Sequence, residues 1–280
     1  MNIIYKFIEF ILPIECMEYD FMKNALLSIL IVSPLFGILG TMVINNKMSF
    51  FSDALGHSAL TGIALGVVFG INNPLLSMVG FAIVISILIM NVKKTNNASV
   101  DTIIGVFSSA SVALGIVILS YNGGFSKYSN YMIGDILSIG KEDLIFLLIL
   151  GIVIMAIWLF SFNKLLLVSI NNTLAKSRGV NVDFYEYMFT ILIAIVVTVS
   201  IQWIGVLVIS SMMILPAASS RNISKNVRQY HFYSIVFSLI SGILGLFVSY
   251  QLGSATGATI ILISSVFFAI TFFISIIKSN

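Results

Sequence analysis

Charge is what this sequence has least of. Only 9% of its 280 residues are Asp, Glu, Lys or Arg, against 59% hydrophobic. Soluble domains carry roughly a quarter charged residues, which excludes a water-exposed globular unit of any size. Cysteine is nearly missing as well. With Cys16 alone, neither an intramolecular disulfide nor a cysteine zinc site can form. A net charge of +3 with no clustered basic face excludes nucleic acid as a partner. No Gly-x-x-x-x-Gly-Lys-Ser/Thr loop is present to cradle nucleotide phosphates, and the chain reads as a non-enzyme. An intramembrane hydrolase fits poorly: His-Glu-x-x-His is absent, Gly134-Asp135 lacks the preceding glycine of an aspartyl site, and Cys16 has no histidine near it in sequence. The acidic residues Glu9, Glu15, Glu18 and Asp20 also exclude a cleavable signal peptide, which needs a basic start and a clean apolar core.

What is present is long apolar runs. The mean hydropathy of +1.10 marks an integral membrane protein. Residues 1–20, apolar on one side and acidic on the other with Pro13 between, read as an interfacial segment; residues 21–280 read as one transmembrane domain. Spans are expected at 21–44, with a kink near Leu30 from Pro34, then at 53–71, 75–92, 101–121 and 144–162. A polar connection, 122–143, separates the last two. The run 185–216 is too long for one crossing, because about thirty helical residues reach roughly 45 Å. It is expected to break at Gln202-Trp203 into two tightly joined spans. Final spans cover 231–250 and 255–277. The fold class is therefore an all-α polytopic bundle of nine apolar runs, or eight crossings if one run is half-inserted.

Lysine and arginine placement orients the bundle. Ten of the 14 basic residues (Lys47, Lys93, Lys94, Lys164, Lys176, Arg178, Arg221, Lys225, Arg228, Lys278) lie inside if the amino terminus is outside. Small residues inside the spans, such as Gly105, Gly115, Gly242 and Gly245, read as packing positions. Thr198, Ser200, Ser210 and Ser211 fit either packing or a watery passage. Twelve methionines are scattered without a stripe, which favours packing over a copper path. His231, beside the basic 221–228 loop, reads as an interfacial structural residue.

Within this apolar setting, Asp53 and His57 stand out. At i and i+4 on a helix they share a face, with Cβ atoms roughly 5–6 Å apart. One cation bound at about 2.0–2.2 Å from each donor bridges such a pair. The other reading makes Asp53 a helix-start residue and His57 a satisfied polar group. The spacing leaves both open.

Several stretches together resemble the permease subunits of ABC-type manganese, zinc and iron importers. Ser52-Asp53-Ala54-Leu55-Gly56-His57-Ser58-Ala59-Leu60-Thr61-Gly62 is similar to that family's Asp-Ala-Leu-Ser-His-Ala-x-x-Pro-Gly signature, departing at Gly56, Ser58 and Thr61. Asp101-Thr102-Ile103-Ile104-Gly105, Gly134-Asp135-Ile136-Leu137, Ile214-Leu215-Pro216-Ala217-Ala218 and Thr256-Gly257-Ala258 resemble further landmarks in the right order. Ala175-Lys176-Ser177-Arg178-Gly179 falls where the family has an Ala-x-x-x-Gly cytoplasmic helix. The resemblance implies a type II ABC importer-like permease working as a homodimer. Its partners would be a cytoplasmic ATPase pair and an extracellular metal-binding protein, lipid-tethered or periplasmic. It also implies that Asp53 and His57 contact a divalent ion in transit (manganese, zinc or ferrous iron), with no permanently bound cofactor. A coupling helix near 172–180 would offer Leu174, Ala175, Ser177, Arg178 and Gly179 to the ATPase. A gradient-driven secondary metal transporter is the alternative, but such proteins often show inverted repeats and several intramembrane charges, and neither is apparent.

Overall fold

A computed structural model describes residues 5, 6, 8, 9, 15–95, 98–121 and 134–279. Its α-helices are α1 (Asp20–Asn45), α2 (Phe51–Val68), α3 (Pro74–Thr95), α4 (Val100–Tyr121), α5 (Lys141–Ile170), the short α6 (Asn172–Ser177), α7 (Val182–Ile204), α8 (Val206–Ile223), α9 (Val227–Leu252) and α10 (Thr256–Ser279). Short 3-10 turns occupy Glu15–Glu18 and Ile136–Ser138. The starts are set by local chemistry. Asn181 and Asn226 accept the N–H of Phe184 (3.1 Å) and Gln229 (2.9 Å), satisfying orphan donors at the first turns of α7 and α9. Gly253, at φ +60, closes α9 in the left-handed conformation.

The nine apolar runs become nine long helices among the described residues. Eight of them are long and apolar enough to cross a membrane. The ninth is α8, which carries Pro216, several serines and Arg221, and packs in the interior against α1, α2, α9 and α10. The break in the 185–216 run comes at Gly205 instead of Gln202-Trp203. Both Gln202 and Trp203 stay helical, while Gly205 takes φ +88, a conformation that side chains resist. Gly115, Gly242 and Gly245 do sit against neighbouring helices, at Thr61, Ile29 and Ile260; Gly105 has nothing within 4 Å.

The two ends of the bundle differ in charge. At one end the close of α1, Lys47, the close of α5, the α8–α9 turn and Tyr230 surround a recess of about 420 Å³ that includes Arg221 and Lys225. At the same end Asn46, Met48, Met90, Lys93, Leu165 and Glu186 meet. Lysine and arginine collect there, which makes it the cytoplasmic end. At the other end Asp135 and Leu137 face Trp203, Ile204 and the Ser254–Gly257 turn across a cavity of about 240 Å³. The described part of segment 1–20 is tucked against α1 near that end. Tyr5 and Ile8 are buried, the Tyr5 hydroxyl donates to the Asn24 side chain, and Glu9 pairs with the buried Lys23. Lys127 and the other residues of 122–133 lie outside the described residues.

Candidate metal-transit site

The helix that carries the Asp53/His57 motif is held from four sides, by α3, α4, α7 and α8. Nearly every residue of its first three turns is buried, including Ser52, Ala54, Leu55, Gly56 and Ser58. Asp53 and His57 are the exceptions, with side chains 40% and 27% exposed. The i, i+4 spacing does what the helix dictates. His57 Nε2 lies 3.5 Å from Asp53 Oδ2, too long for a good direct hydrogen bond. Two donors roughly 2.1 Å from a tetrahedral ion stand about 3.4 Å apart, so the gap suits a shared ion better than a direct bond.

The second carboxylate oxygen is met from another helix. Ser210 Oγ, in the second turn of α8, lies 3.4 Å from Asp53 Oδ1, a long hydrogen bond by the same measure. Of the four small polar residues that fitted a passage, Ser210 is the one that reaches the pair. Thr198 turns back to the Ala194 carbonyl at 2.6 Å, and Ser200 is buried. Spacing could not single out Ser210, because only the packing of α8 across α2 brings it to Asp53. Among the described residues no third His, Cys, Asp or Glu joins the group.

The departures from the family signature have local explanations. A Cβ at Gly56 would lie 3.1 Å from Val206 Cγ1, so a serine there would ask the residue that opens α8 to give by a few tenths of an ångström. Ser58 Oγ donates to the Leu55 carbonyl at 2.8 Å, and the Thr61 hydroxyl donates to the Ser111 carbonyl, tying α2 to α4. Both hydroxyls are used inside the bundle.

The second cluster is at the cytoplasmic end. Asn171 accepts the N–H of Thr173 (2.9 Å) and Leu174 (3.0 Å) and so starts α6, and Gly179 at φ +73 turns the chain away. Leu174, Ser177, Arg178 and Gly179 are exposed. Ala175 is not: it is fully buried against Val168 and Val182. It pins α6 onto the ends of α5 and α7, and it offers no surface to another chain.

Two other residues fall elsewhere than expected. His231 is buried, one turn inside α9, not interfacial. Its Nδ1 lies 2.6 Å from Thr41 Oγ1, and its ring is flanked by Trp158, Phe162 and Tyr230. The structural role stands, because α9 begins at Val227 and turns His231 toward α1 and α5. Cys16 is buried too, and burial pushes its thiol up, away from the thiolate a nucleophile needs.

Known proteins resemble this chain in sequence and in fold. The model of the ABC 3 transport family matches residues 18–275. The manganese import system permease protein ScaB of Streptococcus parasanguinis is 32% identical over 258 residues, 92% of either chain. The high-affinity zinc uptake system membrane protein ZnuB of Haemophilus influenzae is 28% identical, over 91% of this chain and 98% of that one. Among solved structures, PsaBC from Streptococcus pneumoniae in complex with Fab superposes with a TM-score of 0.81 at 29% identity, covering 98% of this chain and 96% of that one. A putative metal-chelate type ABC transporter in an inward-facing conformation shares the fold, with a TM-score of 0.67 at 17% identity over 91% and 85% of the two chains. This chain, a multi-pass protein of the cell membrane, belongs to the ABC 3 transport family.

Proposed function

We propose that this chain is the permease subunit of an ATP-driven importer of a divalent transition metal, with manganese and zinc the first candidates and ferrous iron the third. The observation that carries this is the part-exposed Asp53–His57 pair in the otherwise buried first three turns of α2, with Ser210 near the far carboxylate oxygen. Carboxylate and imidazole suit these ions, and two donors hold an ion only weakly. In a symmetric homodimer with the pair at the interface, four donors would meet and two carboxylates would offset the dication's charge. Weak binding in the transit site is useful, since the ion has to leave. Hydrolysis of ATP belongs to a separate cytoplasmic subunit that docks on the exposed face of α6, through Leu174, Ser177 and Arg178. An extracellular metal-binding protein would deliver the ion to the opposite end. No observation favours a gradient-driven carrier.

The test is metal uptake by the reconstituted complex, compared across manganese, zinc and ferrous iron. Asp53→Asn keeps the shape and removes the charge; uptake is expected to fall by about tenfold or more, the size of one charged ligand lost. Wild-type uptake by that variant, with the complex intact, would mean that the pair is structural.

A further inference from the structure

The last turn of α3 is fastened to the first turns of α7 by four contacts. Lys93 Nζ lies 3.2 Å from Glu186 Oε1, and Lys94 Nζ lies 2.8 Å from Asp183 Oδ1. Lys94 Nζ also sits 4.1 Å from the centre of the Tyr187 ring, and the Tyr187 hydroxyl donates to the Asn91 side chain. This end of the bundle is rich in cations. Among the described residues, however, no carboxylate lies within ion-pairing distance of Lys47, Arg221, Lys225 or Arg228. Charge pairing at this end is thus concentrated between α3 and α7.

The place of that fastening gives it a use. On one side, four residues separate the end of α6 from the start of α7, and Ala175 of α6 packs on Val182 of α7 with Tyr185 alongside. Lys164 of α5 lies over the same Tyr185 ring at 5.4 Å. A displacement of α6 therefore carries the first turn of α7 with it. On the other side, α3 lies against α2 with almost no room between backbones. A Cβ at Gly62 would come within 2.8 Å of Met78 Cα, and one at Gly66 within 2.7 Å of Ser77 Cβ. Packed interiors transmit such displacement because they resist compression. The helix reached at the end of this chain of contacts is the one that bears Asp53 and His57.

The geometry points to a clamp, Lys93–Glu186 with Lys94–Asp183, that carries motion of the docking helix α6 through α7 and α3 to the metal pair on α2. These four are positioning residues: they touch neither ion nor nucleotide and set how tightly hydrolysis is tied to ion release. The inference rests on the docking reading of α6 proposed above. Part-exposed ion pairs contribute little to stability, so breaking the clamp leaves the fold intact while the linkage loosens. Because α7 also touches α2 directly, the test has to act on the clamp alone.

The experiment reads metal ions moved per ATP hydrolysed, in vesicles holding the full complex. Asp183→Lys with Glu186→Lys turns attraction into repulsion and keeps the inner end basic, so the orientation in the membrane is preserved. The ratio is expected to fall about fivefold, the effect of a well-placed ion-pair network, with subunit assembly and basal ATPase unchanged. Adding Lys93→Glu and Lys94→Glu restores the pairs with exchanged signs and should recover at least about half of the ratio. A wild-type ratio in the reversed variant overturns the inference. So does a swap that fails to restore it, or loss of assembly in the reversed variant, which would make the cluster plain scaffolding. Leu174→Asp separates this from the docking reading. If it leaves the complex assembled and coupled, the docking reading falls; if it uncouples and the reversed clamp does not, only the clamp falls.

Discussion

The chain has two histidines, and the fold gives them opposite surroundings. His57 is part-exposed on a crowded helix, next to a carboxylate and aimed at the same space. His231 is buried, held at Nδ1 by Thr41 and walled by Trp158, Phe162 and Tyr230. Imidazole is a metal ligand only where a lone pair and other donors face one open point. The part-exposed His57, beside a carboxylate, fits that condition better than the buried His231. On the proposed function the first is kept for an ion and the second for packing, although both lie within apolar helices.

The sharpest way to break the comparison is to remove each ring in turn. On the proposed reading His57→Ala lowers uptake by about tenfold or more at a smaller cost in melting temperature than His231→Ala, because its part-exposed side chain has less packing to lose. His57→Gln should be nearly as damaging, since an amide is a poor ligand for these ions. Metal uptake by the reconstituted complex, read beside a thermal melt in detergent, decides it; wild-type rates would place His57 with His231 as structural. His231→Ala is expected to do the reverse. It opens a cavity among Trp158, Phe162 and Tyr230, at a cost of about 2–4 kcal/mol, visible as a lower midpoint of unfolding. The residual uptake per folded molecule should stay near wild type, and a selective loss of uptake with normal stability would overturn the contrast. The smallest effect is expected at Ser210→Ala. One long hydrogen bond to Asp53 is lost, worth about 0.5–1.5 kcal/mol, so the apparent affinity for metal should weaken a few-fold. An unchanged uptake curve would remove Ser210 from the site.

Much of this was legible in the residues. The nine apolar runs, the bundle class and the shared face of Asp53 and His57 all follow from local patterns, because helix periodicity and span length depend only on neighbours in sequence. The short helix after Asn171 was legible for the same reason, with an amide that caps and a glycine that ends it. Ala175 shows where such reasoning stops. A six-residue helix reads as surface on every side until it is seen pressed onto Val168 and Val182. The break lies at Gly205, two residues past Trp203, because polarity points to Gln202 while backbone geometry selects the glycine.

By itself, then, the sequence determined the membrane class, the nine apolar runs and the candidate pair Asp53/His57, and its lysines and arginines supplied an expected orientation. Only the tertiary structure decided which polar residue joins that pair, which histidine is sealed off, which face of α6 is open, and that α3 is fastened to α7. The physical reason is range. Periodicity, capping and hydropathy act over a few residues, whereas Ser210 reaches Asp53 across 157 positions and Glu186 reaches Lys93 across 93, distances in sequence that packing alone can close.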